Sequence, residues 1–118
     1  EGIGYAPFVY RDLAVDADSL TLSVKVRNAG DIAGEETVQV YLRDCVCEVM
    51  QPVKQLIAFR KVLLQPGEEQ EVTFHLDRTA FTYINRAEER VFAPGDFMLM
   101  AGHSAKDEDL LKETVWVG

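Results

Sequence analysis

Between residues 20 and 27 apolar and polar positions alternate. Leu20, Leu22, Val24 and Val26 fall on one side, and Thr21, Ser23, Lys25 and Arg27 on the other. That period of two predicts a β-strand with one buried face. The pattern returns at 36–43, where Val38, Val40 and Leu42 point inward while Thr37, Gln39, Tyr41 and Arg43 point outward. It returns again at 71–76, with Val72, Phe74 and Leu76 inward. His75 falls on the outward side, so it reads as a solvated strand residue and not as a ligand or base. Between the first two strands, Asn28, Gly30, Asp31 and Gly34 supply the backbone freedom of a connection.

The longest apolar-rich segment, 52–68, admits a helix as the competing reading. Its run Val62-Leu63-Leu64 leads straight into the turn signal Pro66-Gly67, and it has neither a sustained helical stripe nor an N-cap. The prediction is therefore a strand segment crossing between two sheets and bent near 59–61. Lys54, Arg60 and Lys61 gather positive charge on it, which marks its polar side as a docking surface.

Residues 77–81 read as a single helical turn capped by Asp77 or as a corner between sheets, after which 81–84 and 90–92 flank a polar connection suited to a hairpin. The turn at 93–96 launches 97–101, with Phe97, Leu99 and Ala101 on one face and Met98 and Met100 on the other. Apolar residues on both faces predict an interior strand or an interface. The last strand, 110–117, sets Trp116 opposite Val115 and Val117, as an interface residue or partial lid. Residues 1–10 show no period and are expected to be an extended lead-in to a domain spanning 11–118. Short strands at regular spacing with Gly, Pro and Asn/Asp turns predict an all-β fold. The expected form is an immunoglobulin-like, fibronectin type III-like antiparallel β-sandwich of seven to eight strands.

Composition narrows the function classes. One domain is the prior for 118 residues, and 47% hydrophobic content suffices for a core without metal or disulfide staples. A net charge of -8 argues against nucleic acid and anionic membrane surfaces, which require a positive footprint. No apolar run approaches the roughly 20 residues of a spanning helix, and Glu1-Gly2-Ile3-Gly4 lacks a signal-peptide layout. Cys45 and Cys47, separated by Val46 alone, would close a strained ring if bridged. Two free thiols favour a reducing, cytoplasmic compartment.

Candidate chemistry is sparse. His75 and His103 sit in separate segments without ligand spacing, and the acids Asp107, Glu108 and Asp109 lack the pattern of a calcium loop, so neither metal nor cofactor is expected. Ser19, Ser23 and Ser104 have no nucleophile-elbow glycines, and no acid pair is singled out for glycoside hydrolysis. No catalytic residue is assigned.

Several ordered segments carry a resemblance. They are residues 24–36 (Val-Lys-Val-Arg-Asn-Ala-Gly-Asp-Ile-Ala-Gly-Glu-Glu), 38–44 (Val-Gln-Val-Tyr-Leu-Arg-Asp) and 52–62 (Pro-Val-Lys-Gln-Leu-Ile-Ala-Phe-Arg-Lys-Val). Residues 64–68 (Leu-Gln-Pro-Gly-Glu) and 94–97 (Pro-Gly-Asp-Phe) follow. In order and spacing the chain resembles the fibronectin type III-like domain at the C-terminal end of family 3 glycoside hydrolases, the β-glucosidase and β-xylosidase group. The resemblance implies a non-catalytic accessory domain that packs against and stabilises the catalytic domains of the same chain. It also implies a loop before the Pro-Val-Lys segment that reaches the substrate cleft and touches oligosaccharide at its edge. Here that loop holds Cys45-Val46-Cys47 where the family commonly has a proline after the aspartate. The candidate interface or cleft residues are Asp44, Cys45, Val46, Cys47, Glu48, Lys54, Arg60 and Trp116. The alternative is a carbohydrate-binding or adhesion module acting through exposed aromatics: Tyr41, Tyr83 or Trp116. For Tyr41 the favoured reading is an aromatic covered by a neighbouring loop, with the sugar-stacking platform as its alternative.

Overall fold

The computed structural model describes residues 7–44, 54–106 and 110–118. Among them nine strands and one 3-10 helix follow in order. They are β1 (Phe8–Asp16), β2 (Thr21–Asn28), β3 (Gly34–Asp44), β4 (Gln55–Leu64), β5 (Glu69–His75), the 3-10 helix (Arg78–Phe81), β6 (Thr82–Ile84), β7 (Arg90–Phe92), β8 (Gly95–Gly102) and β9 (Leu110–Val117). A three-stranded sheet, β1-β2-β5, faces a four-stranded sheet, β4-β3-β8-β9, and β6-β7 form a small hairpin. The pairings are antiparallel, so the all-β antiparallel sandwich expected from the sequence is the observed fold.

The alternating residues meet between the sheets. Leu22, Val24, Val26, Val72 and Phe74 come from one sheet, and Val38, Val40, Leu42, Val62, Leu64, Phe97 and Leu99 from the other. Each such side chain stabilises the fold by roughly 1.5–3 kcal/mol through area removed from water. Asp77 caps the 3-10 helix by accepting from the Thr79 amide at 2.9 Å. That turn delivers Phe81 edge-on to Phe97, with centroids 5.1 Å apart, and the hairpin adds Phe92 stacked at 6.5 Å.

The ninth strand is β1, which pairs with β2 from Phe8↔Asn28 onward, so residues 8–10 of the expected lead-in lie in an edge strand. Its alternation is broken by a register shift between Arg11 and Ala14, where Asp12 adopts φ 58°. That extra residue hides the period of two.

Two expectations for the 52–68 segment are corrected. β4 does not cross between sheets: it pairs with β3 from Gly34↔Leu64 to Leu42↔Gln55. The chain changes sheet only in the following turn, where Gly67 takes φ 79°, a conformation that favours glycine. The irregularity in β4 is a bulge at Ile57 and not at 59–61, because Val40 pairs with Ala58 while Tyr41 pairs with Leu56, leaving one extra residue on β4.

One buried polar residue fastens this turn. The Asn28 amide Nδ2 donates to the carbonyls of Ile32 at 2.9 Å and Leu64 at 3.0 Å, and its Oδ1 accepts from Gly30 N at 2.9 Å. Its backbone donates to the Glu68 carbonyl and accepts from Gly67 N. A Cβ on Gly30 would come 2.6 Å from Pro7 Cδ, so this connection packs too tightly for a side chain there.

Candidate interaction face

The outer faces of the two sheets differ in kind. On the three-stranded sheet, Lys25 and Arg27 of β2 lie beside Glu69 and Glu71 of β5. Arg11 forks onto Glu69, donating from Nε at 2.7 Å and Nη2 at 2.8 Å, and reaches Asp12 at 2.8 Å; Lys25 lies 3.4 Å from Asp12. The hydrogen bond from Arg11 holds the Glu69 carboxyl below its ordinary range against an opposing desolvation, with the charges of Arg11, Lys25 and Arg27 acting in the same direction as the bond. These are the ion pairs among the described residues.

The outer side of the four-stranded sheet is apolar at its centre. Tyr41, Met100 and Leu110 are buried, with Met98 packed against them. Residues 103–106 are tied down beside them, because Gln39 Nε2 donates to the His103 carbonyl at 3.1 Å and Lys54 Nζ donates to the Ala105 carbonyl. The Lys54 ammonium lies 5.6 Å above the Tyr41 ring, whose hydroxyl donates to Gln39 Oε1. Tyr41 is therefore the covered aromatic of the two readings and offers no stacking platform. Met100, on the second apolar face of the interior strand β8, is fully buried in this cluster.

Other apolar residues remain uncovered. Leu56, Phe59 and Leu63 of the edge strand β4 are 51%, 62% and 63% exposed, with Lys61 between the last two. Trp116, 61% exposed, stands on β9 at the opposite edge, three strand spacings or about 14 Å away. Arg43, on β3, has its Nε buried without a hydrogen-bond partner among the described residues.

The candidates named from the sequence divide accordingly. Lys54 and Trp116 lie on this outer side but are not brought together. Arg60 leaves the face: its guanidinium sits 5.2 Å above Phe74 of the opposite sheet and covers the open edge of the core, while Lys61 points outward. Asp44 ends β3, paired with Phe97. Cys45, Val46, Cys47 and Glu48 lie outside the described residues, as do the acids at 107–109. Tyr83 is half-buried, which leaves Trp116 as the exposed member of the three proposed sugar-stacking aromatics.

A second polar site went unnoticed in the sequence. The Tyr10 hydroxyl donates to Glu36 Oε2 at 2.6 Å, joining β1 of one sheet to β3 of the other, with the His103 ring 6.4 Å from that of Tyr10. Burial, then the Glu36 contact, raises the phenol far above its ordinary value. Burial also raises Glu36, with the Tyr10 hydrogen bond and the nearby His103 opposing it. The signal was available in the register, since Glu36 continues the inward series of Val38, Val40 and Leu42. Among the described residues, no group of three or more His, Cys, Asp or Glu is arranged to hold a metal ion, and no helix is long and apolar enough to cross a membrane.

Comparison with known proteins agrees with this architecture. The family model of the fibronectin type III-like domain matches residues 36–105. The thermostable β-glucosidase B of Acetivibrio thermocellus is 42% identical over 98% of this chain and 16% of its own length. The crystal structure of a β-glucosidase from Listeria innocua in complex with glucose superposes with a TM-score of 0.84 at 39% identity, over 97% of this chain and 16% of that one. The GH3 β-glucosidase of Bifidobacterium adolescentis gives 0.84 at 30% identity, over 96% of this chain and 17% of that one. The chain thus spans about one sixth of the length of these relatives.

Proposed function

The chain belongs to the fibronectin type III-like domain family, and from that premise we propose that it is a non-catalytic accessory domain of a family 3 glycoside hydrolase of the β-glucosidase type. It packs against the catalytic domains of the same polypeptide and stabilises them. The observation that carries this reading is a β-sandwich that matches about one sixth of several β-glucosidases over nearly the whole of this chain. An outer sheet face with exposed apolar side chains supports it, since exposed apolar patches rimmed by polar residues mark interfaces. β3 ends at Asp44, at the end of the sheet where Trp116 stands, and the segment Asp44 to Glu48 is the part we propose to lie nearest the sugar cleft.

Two measurements test the proposal. The 118-residue chain alone should release nothing from chromogenic β-glucosides or β-xylosides. The longer polypeptide with this domain deleted should unfold at lower temperature and lose activity; an unchanged midpoint and unchanged turnover would sink the reading. The exposure of Trp116 favours one alternative, a carbohydrate-binding module. Quenching or enhancement of tryptophan fluorescence by millimolar oligosaccharide in the isolated chain would support that alternative instead.

A further inference from the structure

The row Leu56, Phe59 and Leu63 has no role in the sandwich, because all three point away from the core and are more than half exposed. Single exposed apolar side chains are ordinary, but three along one side of one strand form a patch. We propose that the outer side of β4 docks an apolar, acid-bearing surface of another domain of the same polypeptide. This rests on the accessory-domain reading and specifies its contact.

Charge identifies the partner's chemistry. Among the described residues, the outer side of the four-stranded sheet carries the cations Lys54, Lys61, Arg43 and Lys112 against the acids Glu35 and Asp96, in a chain with 12 basic and 20 acidic residues. On the other sheet Arg11 and Lys25 are neutralised by Asp12 and Glu69, whereas Lys61, Arg43 and Lys112 form no ion pair with a described residue. A local cationic excess beside an apolar row, on an otherwise acidic domain, complements an acidic surface.

The other occupants fit less well. An isologous contact between two copies centred on the row would bring Lys61 toward its own equivalent, and two chains of net charge -8 repel. Addition of a partner strand to the free edge of β4 meets the bulge at Ile57 and the neighbouring charge of Lys61, both features that guard an edge. Face-on docking against another domain escapes both obstacles, and the relatives carry about five-sixths of their length outside the matched region.

The test compares the same substitutions in two settings, the longer polypeptide and the isolated 118-residue chain. Phe59→Ser combined with Leu63→Ser should lower the unfolding midpoint of the longer polypeptide by several degrees and leave that of the isolated chain unchanged. Lys61→Glu should cost the longer polypeptide more than Lys61→Met does, and added salt should shrink the difference. If the serine pair changes nothing in the longer polypeptide while deletion of the domain still destabilises it, the docking surface is wrong and the accessory reading survives. If deletion also changes nothing, both fail together. Equal effects of Lys61→Glu and Lys61→Met would overturn the acidic partner. A dimer of the isolated chain in sedimentation, abolished by Phe59→Ser, would assign the row to a second copy and overturn the proposal.

Discussion

Tyr10 shows how much one side chain can carry when it lies between two sheets. Its hydroxyl is the donor that partly offsets the burial of the Glu36 carboxyl, so Tyr10→Phe leaves a half-buried acid without that donor. The expected loss at neutral pH is about 1–2 kcal/mol, with Glu36 moving further upward. The pH dependence follows from the directions. Because folding raises the Tyr10 value, its contribution is complete below the unfolded value of about 10 and is lost as pH rises beyond it. The folded Glu36 value is also raised, so its contribution is present below the unfolded carboxyl value and lost as pH rises through the folded one. Glu69 has the opposite sign: Arg11 lowers it, and its contribution disappears as pH falls. Urea unfolding of both proteins should therefore show the gap between wild type and Tyr10→Phe narrowing above pH 10, and a gap that stays constant there would contradict this account. Half of the pair was legible in the sequence. Glu36 stood in the inward register of β3, but its partner lay on a strand whose period was broken at Asp12.

At the scale of elements, legibility followed burial. Strands β2 and β5 each have one buried and one more open face, and β3 keeps Val38, Val40 and Leu42 on its inner side although Tyr41 is buried on the outer one, which writes a clean alternation into the chain. β4 was harder because it is an edge strand, exposed apolar residues on its outer side mimic core positions, and the bulge at Ile57 shifts its phase. The sequence also could not reveal that residues 103–106 come to lie beside Tyr41, because that contact joins positions some sixty residues apart. The turn linking β4 to β5 depends on Asn28, whose side chain makes three hydrogen bonds with no exposure to solvent. Asn28→Ala should cost about 2–4 kcal/mol, the sum of those bonds and of the polar groups they would leave unpaired. Asn28→Asp keeps the acceptor for Gly30 but sets a carboxylate against the carbonyls of Ile32 and Leu64. At neutral pH it should be at least as unstable as the alanine variant, and it should recover stability in acid. Thermal unfolding at pH 7 and pH 4 checks both, and an aspartate variant as stable as wild type at pH 7 would show that the amide donors contribute little.

For the molecule as a whole, two global features oppose each other. The net charge of -8 keeps copies of the chain apart, while Leu56, Phe59, Leu63 and Trp116 give them apolar surface on which to associate. Repulsion depends on pH and the apolar surface does not. As pH falls toward the isoelectric point, about 4.7, the repulsion vanishes and association through the exposed side chains should take over. Light scattering of the isolated chain should rise sharply near that pH and reverse when neutrality is restored. The variant with serine at positions 59 and 63 should scatter less at the same pH, although its charge, and hence its isoelectric point, is unchanged. If the two proteins scatter alike, association is governed by charge alone and the β4 row is not adhesive. If the variant also unfolds at the same temperature as wild type, the row's apolar character serves contact with other surfaces and not the stability of the sandwich.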